Sequence, residues 1–345
     1  MTKRQSNMEL LRIIAMLMIV TLHFFSGDRQ PTPGTANEMV YFIYESLAIC
    51  GVNLFVMLTG YFSLDQNSIR FRKILDIILS VAFWEFVGFM LCVIAGTKSF
   101  QLKELIRAMF PIFFGGRWFI KAYTILLLIM PFLNIVLKSI SRRSYRMLLA
   151  VQLFLFSFWP SFLPNPPFDD YGYSFVHFIS VYCLIGYYRL HPKEIPPKWL
   201  CLTGYFLCFG IVLFNKAFGI GYEWAYNSPF VIAEALFLFL FFAQIQIQQG
   251  WINRLAACAF GVYLVHTNAF FSRLGYETLF NGSQIVVGSL PIFIISVPLC
   301  SVFFYLFGFI LESIKKRLFS YTVDPIADRL PLYDFSIKMK GVENQ

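Results

Sequence analysis

Three ionisable residues, Glu9, Arg12 and His23, lie in the first apolar stretch of the chain, from Glu9 to Phe25. In an α-helix the step from Arg12 to His23 rotates roughly 1100°, within about 20° of three full turns. Both side chains then share one face, about 16 Å apart along the axis. Glu9 joins that face one turn before Arg12. Ionisable groups in a bilayer helix are costly, and they mark a protein interior or a wet cavity. A neutral imidazole is a good general base near pH 7, and a guanidinium binds anionic groups through a planar fork. This stretch therefore offers a cation near one membrane surface and a proton acceptor deeper in. The plainer alternative is that His23 only hydrogen-bonds a neighbouring helix.

Other polar groups recur at membrane depth. Asn53 is an amide inside Gly51-Val-Asn-Leu-Phe-Val-Met-Leu-Thr-Gly60, where Thr59-Gly60 reads as a close-packing pair. Arg70-Phe-Arg72-Lys73 comes after residues 61–69. Three cations there would hold a phosphate-bearing ligand or simply anchor the helix. Arg117, Trp118 and Lys121 open a later stretch, with the two cations one turn apart on one face. They would meet an anionic or sugar substrate, or snorkel to headgroups. Tyr263 and His266 share a face near the middle of a further stretch. His177 reads as an interface or core histidine, and Glu85 and Glu234 as carboxylates in structural hydrogen bonds. No HExxH, P-loop, dinucleotide glycine motif or Ser/His/Asp order is present.

The elements that must position these residues are membrane helices. Of 345 residues 58% are hydrophobic and only 14% charged, with 42 Phe, where a soluble domain carries about a quarter charged residues. The expected fold is an all-α polytopic bundle of about ten transmembrane helices. Their approximate limits are 8–26, 41–63, 74–96, 118–137, 147–163, 174–190, 199–218, 228–248, 255–273 and 285–311. Residues 102–114 read as a short interfacial helix, and the proline-rich 164–172 as a loop. Residues 1–318 form one membrane domain and 319–345 a short cytoplasmic tail. The basic start with no small-residue cleavage site reads as a retained first helix. Most of the 28 Lys and Arg fall at the ends expected in the cytoplasm, so both termini are expected in the cytoplasm and the protein in the cell membrane. The net charge of +9 thus reflects orientation and not nucleic-acid binding. The seven cysteines lie in or beside apolar runs with no CxxC pair, so no disulfide or zinc framework is expected.

Taken together, four stretches resemble the acyltransferase-3 family of membrane acyltransferases. They are Arg12 to His23 with Ala15 between; Gly51-Val-Asn-Leu-Phe with Thr59-Gly60-Tyr-Phe; Arg117-Trp-Phe with Pro131-Phe-Leu-Asn134; and Phe260-Gly-Val-Tyr-Leu-Val-His266. Further likeness to a branch acting on capsular polysaccharide and exopolysaccharide lies in Gly172-Tyr-Ser-Phe-Val-His-Phe and Tyr226-Asn-Ser-Pro-Phe. Asn53 departs from a frequent Asp of the family. The resemblance implies transfer of an acetyl or other acyl group from cytosolic acetyl-CoA to a hydroxyl of a surface or lipid-linked glycan. It implies no tightly bound cofactor. His23 and Arg12 would be the catalytic pair, with His23 as general base or, second, as a covalent acetyl carrier. Arg70 and Arg72 would join Arg12 in binding the donor. Arg117, Trp118, Lys121, Asn53, Tyr263 and His266 would support the acceptor side. A polytopic transporter of a glycan or small anion is the competing reading.

Overall fold

The computed structural model describes residues 4–221, 224–331 and 334–337. It is 74% helical, and among the described residues the only strand pairing joins Ser68–Ile69 to Phe335–Ser336. Helix is what bilayer-length apolar chain must form, because each helix satisfies its own backbone groups. Among the described residues six helices are long and apolar enough to cross a membrane: Ser6–Phe24, Ala36–Ser63, Phe71–Ile94, Trp118–Ser139, Lys198–Ala217 and Leu290–Thr322. A bent pair, Gly250–His266 and Ala269–Leu279, adds a seventh when its two arms count as one span.

Each of the ten expected spans falls on helical chain, but four differ in form. Phe175–Leu190 and Pro229–Ala243 are apolar helices of 16 and 15 residues. The 147–163 stretch is helix Arg142–Leu153, a π-turn over Phe154–Phe158 and a last turn Trp159–Phe162. The 255–273 stretch is not continuous, since its two arms meet at 82°. The interfacial 102–114 segment divides into Leu102–Met109 and Pro111–Phe114, because Pro111 cannot continue the ladder. The long helix runs to Thr322, past the expected start of the tail. Lys3, Lys338 and Lys340, expected among the cytoplasmic charges, lie outside the described residues.

Two compact units interleave along the chain. The first comprises Met1–Gly51, Asp76–Arg117 and Gln246–Pro331; the second comprises Val52–Leu75, Trp118–Ile245 and Leu332–Gln345. Within the first unit the N-terminal helix packs on the bent pair and on Leu290–Thr322. Its start is tied down, as Ser6 Oγ accepts from Gln249 N at 2.9 Å and Arg4 Nη1 donates to Asn253 O at 3.2 Å. Gly51 abuts this helix so closely that a Cβ there would lie 3.0 Å from Ala15 O. In the second unit Gly60 plays the same part, since a Cβ there would lie 2.6 Å from Ile185 Cγ2. Asn134 Nδ2 caps the end of helix Gly51–Ser63 by donating to Ser63 O and Gln66 O. None of the seven cysteines forms a disulfide, and all seven are buried.

The first unit also contains a buried ion pair in the long helix, Lys315 Nζ to Glu312 Oε1 at 2.8 Å. Ser80 Oγ accepts from Lys315 and Trp84 Nε1 donates to Glu312. Lys315, expected among the cytoplasmic charges, is buried, which the pairing makes tolerable. Glu234 departs from its expectation too: it is fully buried in the second unit, and neither carboxyl oxygen has a hydrogen-bond partner among the described residues.

The bend is held by Asn268. Its Oδ1 accepts from Phe270 N at 3.1 Å, and its Nδ2 donates to Trp84 O at 2.8 Å. The side chain lies in a notch left by Gly88, where a Cβ would overlap the Asn268 amide. Gly88→Ala should therefore overpack the bend at a cost of about 1–3 kcal/mol. A lower thermal midpoint in detergent is the expected result, with Gly210→Ala, which meets nothing within 4 Å, as the neutral reference.

Candidate functional site

His23 and His266 meet in the first unit. Their ring centroids are 4.9 Å apart at an interplanar angle of 79°. His23 sits in the last turn of Ser6–Phe24, and His266 ends the first arm of the bent pair. Each Nδ1 lies against the carbonyl one helical turn back: His23 with Ile19 O at 2.7 Å, His266 with Val262 O at 2.8 Å. A carbonyl only accepts, so each Nδ1 carries the hydrogen. In the neutral ring Nε2 then presents a lone pair. The two rings differ in access. His266 is fully buried, and its Nε2 has no hydrogen-bond partner among the described residues. His23 is partly exposed. Of the two rings, His23 is the less buried.

Arg117 closes this group. Its Nε donates to Glu85 Oε1 and its Nη1 to Thr267 Oγ1, and the guanidinium stands 6.0 Å from the Tyr263 ring centroid. Thr267 Oγ1 in turn donates to Tyr263 O at 2.6 Å. Arg117, expected to meet substrate, is engaged in holding the residue next to His266. Glu85 is hydrogen-bonded as expected, with a partner that spacing alone does not show. Arg12 pairs with Glu9 at 3.0 Å, with the arginine side chain 28% exposed.

The remaining expected residues belong to the second unit. Asn53 is fully buried. Its Nδ2 donates to Tyr226 O at 2.9 Å, so its Oδ1 faces His177 Nε2 at 2.7 Å and accepts from it. An amide supplies both the donor and the acceptor that these two partners require; a carboxylate could not donate to Tyr226. His177 thus uses Nε2 as a donor, opposite to His23, and is a core residue as expected. Trp118 lies in an aromatic group with Tyr173, Tyr226 and Phe178, at 4.6, 5.6 and 5.9 Å between centroids. Lys121 and Arg70 are exposed, and Arg72 is half-buried at the start of Phe71–Ile94.

Residues 5–305 match the acyltransferase domain of the acyltransferase-3 family. The chain belongs to that family. No curated protein and no solved structure matches it. With its apolar helices, this acyltransferase-3 member is a multi-pass membrane acyltransferase. Family membership replaces the transporter reading. Sequence reasoning did not find Glu85 and Thr267, 32 and 150 residues away, as the partners of Arg117, nor Arg29 at the end of the first helix, whose carboxylate partner is 248 residues away.

The Arg117 fork binds two differently placed oxygens, which a lysine cannot do with one ammonium. Arg117→Lys should cost about 1.5–3 kcal/mol, the range for hydrogen bonds to charged groups. A fall in thermal midpoint in detergent is expected, and a similar fall for Glu85→Gln; an unchanged midpoint in both would show that the fork does not hold the bend.

Proposed function

We propose that this membrane acyltransferase moves an acetyl group from acetyl-CoA to a hydroxyl of a cell-surface or lipid-linked glycan, with His23 as general base. The observation that carries this reading is the tautomer and access of His23: Nδ1–H is committed to Ile19 O, and the ring is partly exposed. The acceptor hydroxyl gives its proton to His23 Nε2 as its oxygen attacks the thioester carbonyl. The tetrahedral intermediate collapses with cleavage of the C–S bond. The imidazolium returns the proton to the departing thiolate, giving an O-acetyl ester and CoA thiol. No proton is gained or lost overall. His266, buried against the other ring, orients it by contact.

Acetyl-CoA carries phosphates and is cytosolic. With both termini in the cytoplasm, Arg70 and Arg72 would meet its phosphates through paired N–H donors. Lys121 is exposed and Trp118 is aromatic, a pairing suited to a sugar on the opposite side. Arg12, on the helix of His23, supplies positive charge near the inner end of that helix.

His23→Ala should abolish acetyl transfer in membrane vesicles while the protein still expresses and inserts. Wild-type incorporation of labelled acetyl into glycan would remove His23 from the reaction. The variant Arg70→Lys with Arg72→Lys keeps the charge and loses the forks. It should raise the KM for acetyl-CoA about 10–100-fold, from loss of about 1.5–3 kcal/mol of charge-assisted bonding. An unchanged KM would leave these arginines as membrane anchors.

A further inference from the structure

Arg29 follows the first helix by a few residues, and its guanidinium returns to the end of that helix. Nη2 donates to His23 O at 2.9 Å and Nε donates to Phe24 O at 2.5 Å. Nη1 forms an ion pair with Glu277 Oε1. The same guanidinium stands 4.9 Å from the centroid of the Tyr276 ring. Tyr276 is buried, and its hydroxyl donates to Val20 O at 3.1 Å. Glu277 is itself fixed, since Ser283 Oγ donates to its Oε2 at 2.9 Å. Gly282 leaves room for the arginine stem, because a Cβ there would fall 2.7 Å from Arg29 Cδ.

The last carbonyls of a helix have no partner within the helix, and they form the negative end of its dipole. A cation is favoured there, and more so where water is scarce. Here the capped carbonyls are those of His23 itself and the next residue. The carboxylate on the other edge of the guanidinium lies in the second arm of the bent pair, whose first arm ends at His266. One planar side chain thus fixes the C-terminal end of the His23 helix against the segment that carries the other histidine.

We propose that Arg29 is a positioning residue for acyl transfer: its fork holds the His23 backbone so that the imidazole keeps its place beside His266. This assignment rests on the reading of His23 as general base. It predicts an effect on turnover and not on donor binding, since Arg29 touches His23 only through its carbonyl.

The test measures incorporation of labelled acetyl from acetyl-CoA in membrane vesicles that contain the native glycan. Arg29→Gln should lower kcat about 100-fold, the scale of a misplacement of about 1 Å, with the KM for acetyl-CoA unchanged. Arg29→Lys keeps the charge and loses the fork, and covers the case in which the glutamine variant does not fold. It should express normally, lower kcat, and speed hydrogen exchange of the amides in residues 20–26. The exchanged pair Arg29→Glu with Glu277→Arg restores the ion pair but leaves both carbonyls uncapped, so its kcat should remain low. Recovery of kcat in the exchanged pair would overturn the proposal, since Arg29 would then be only a tie between segments. Wild-type kcat in Arg29→Lys would overturn it also. His23→Ala run in parallel separates the two readings. If that variant is active, the general-base reading fails and this assignment falls with it. If it is inactive while Arg29→Gln and Arg29→Lys turn over normally, only the assignment of Arg29 is lost.

Discussion

A helix at bilayer depth cannot break unless its released backbone groups find other partners. The break between His266 and Ala269 meets that condition with two side chains. Thr267 Oγ1 takes up Tyr263 O, and Asn268 both caps the second arm and ties it to Trp84 O. Everything that surrounds His23 follows from this break. Had the helix run on unbroken, the step from His266 to Glu277 would span about 16 Å along the axis. Glu277 would then be far from the end of the first helix. Folded back at 82°, the second arm brings Glu277 to Arg29 while the first arm keeps His266 against His23.

Much of the architecture was legible because apolar length and charge placement act locally. The first helix, the packing glycine Gly60, and the polar pair Tyr263 and His266 all stand where their spacing puts them. Asn53 was legible as a buried amide, but its partners, Tyr226 and His177, were not. Arg117 reads in the sequence as a cation that meets substrate or snorkels to headgroups, and its bonds to Glu85 and Thr267 are a commitment that spacing does not show. Arg29 lies close enough to the end of the first helix to cap it, but its carboxylate partner, 248 residues away, has no sign in the local sequence. The break was missed for a related reason. The 255–273 stretch reads as one span, and only the notch at Gly88, far away in sequence, gives Asn268 its place at the bend.

The buried polar groups of the first unit divide by how completely they are satisfied. Lys315, Glu312, Trp84 and Ser80 bond to one another, and Gly261 leaves the space that the Glu312 side chain fills. Such a closed set does structural work, because removing one member would strand a charge. The histidine pair is the opposite case. Each ring spends one nitrogen on its own helix and leaves the other uncommitted, and one of the two is partly exposed. That contrast, more than the presence of ionisable residues at depth, is what supports the proposal that places acyl transfer at the histidine pair.

The seven thiols are all buried and none is cross-linked. Thiol reagents act on thiolates that water can reach, so the native chain offers them little. A cysteine introduced at an exposed position such as Lys121 or Arg70 would therefore report on its own surroundings, in a chain that keeps its natural cysteines. The fold also needs no oxidant to hold it together. Reducing agents leave its covalent structure as it is, and for the reaction proposed above a dye that detects CoA thiol would read that product against a low protein background.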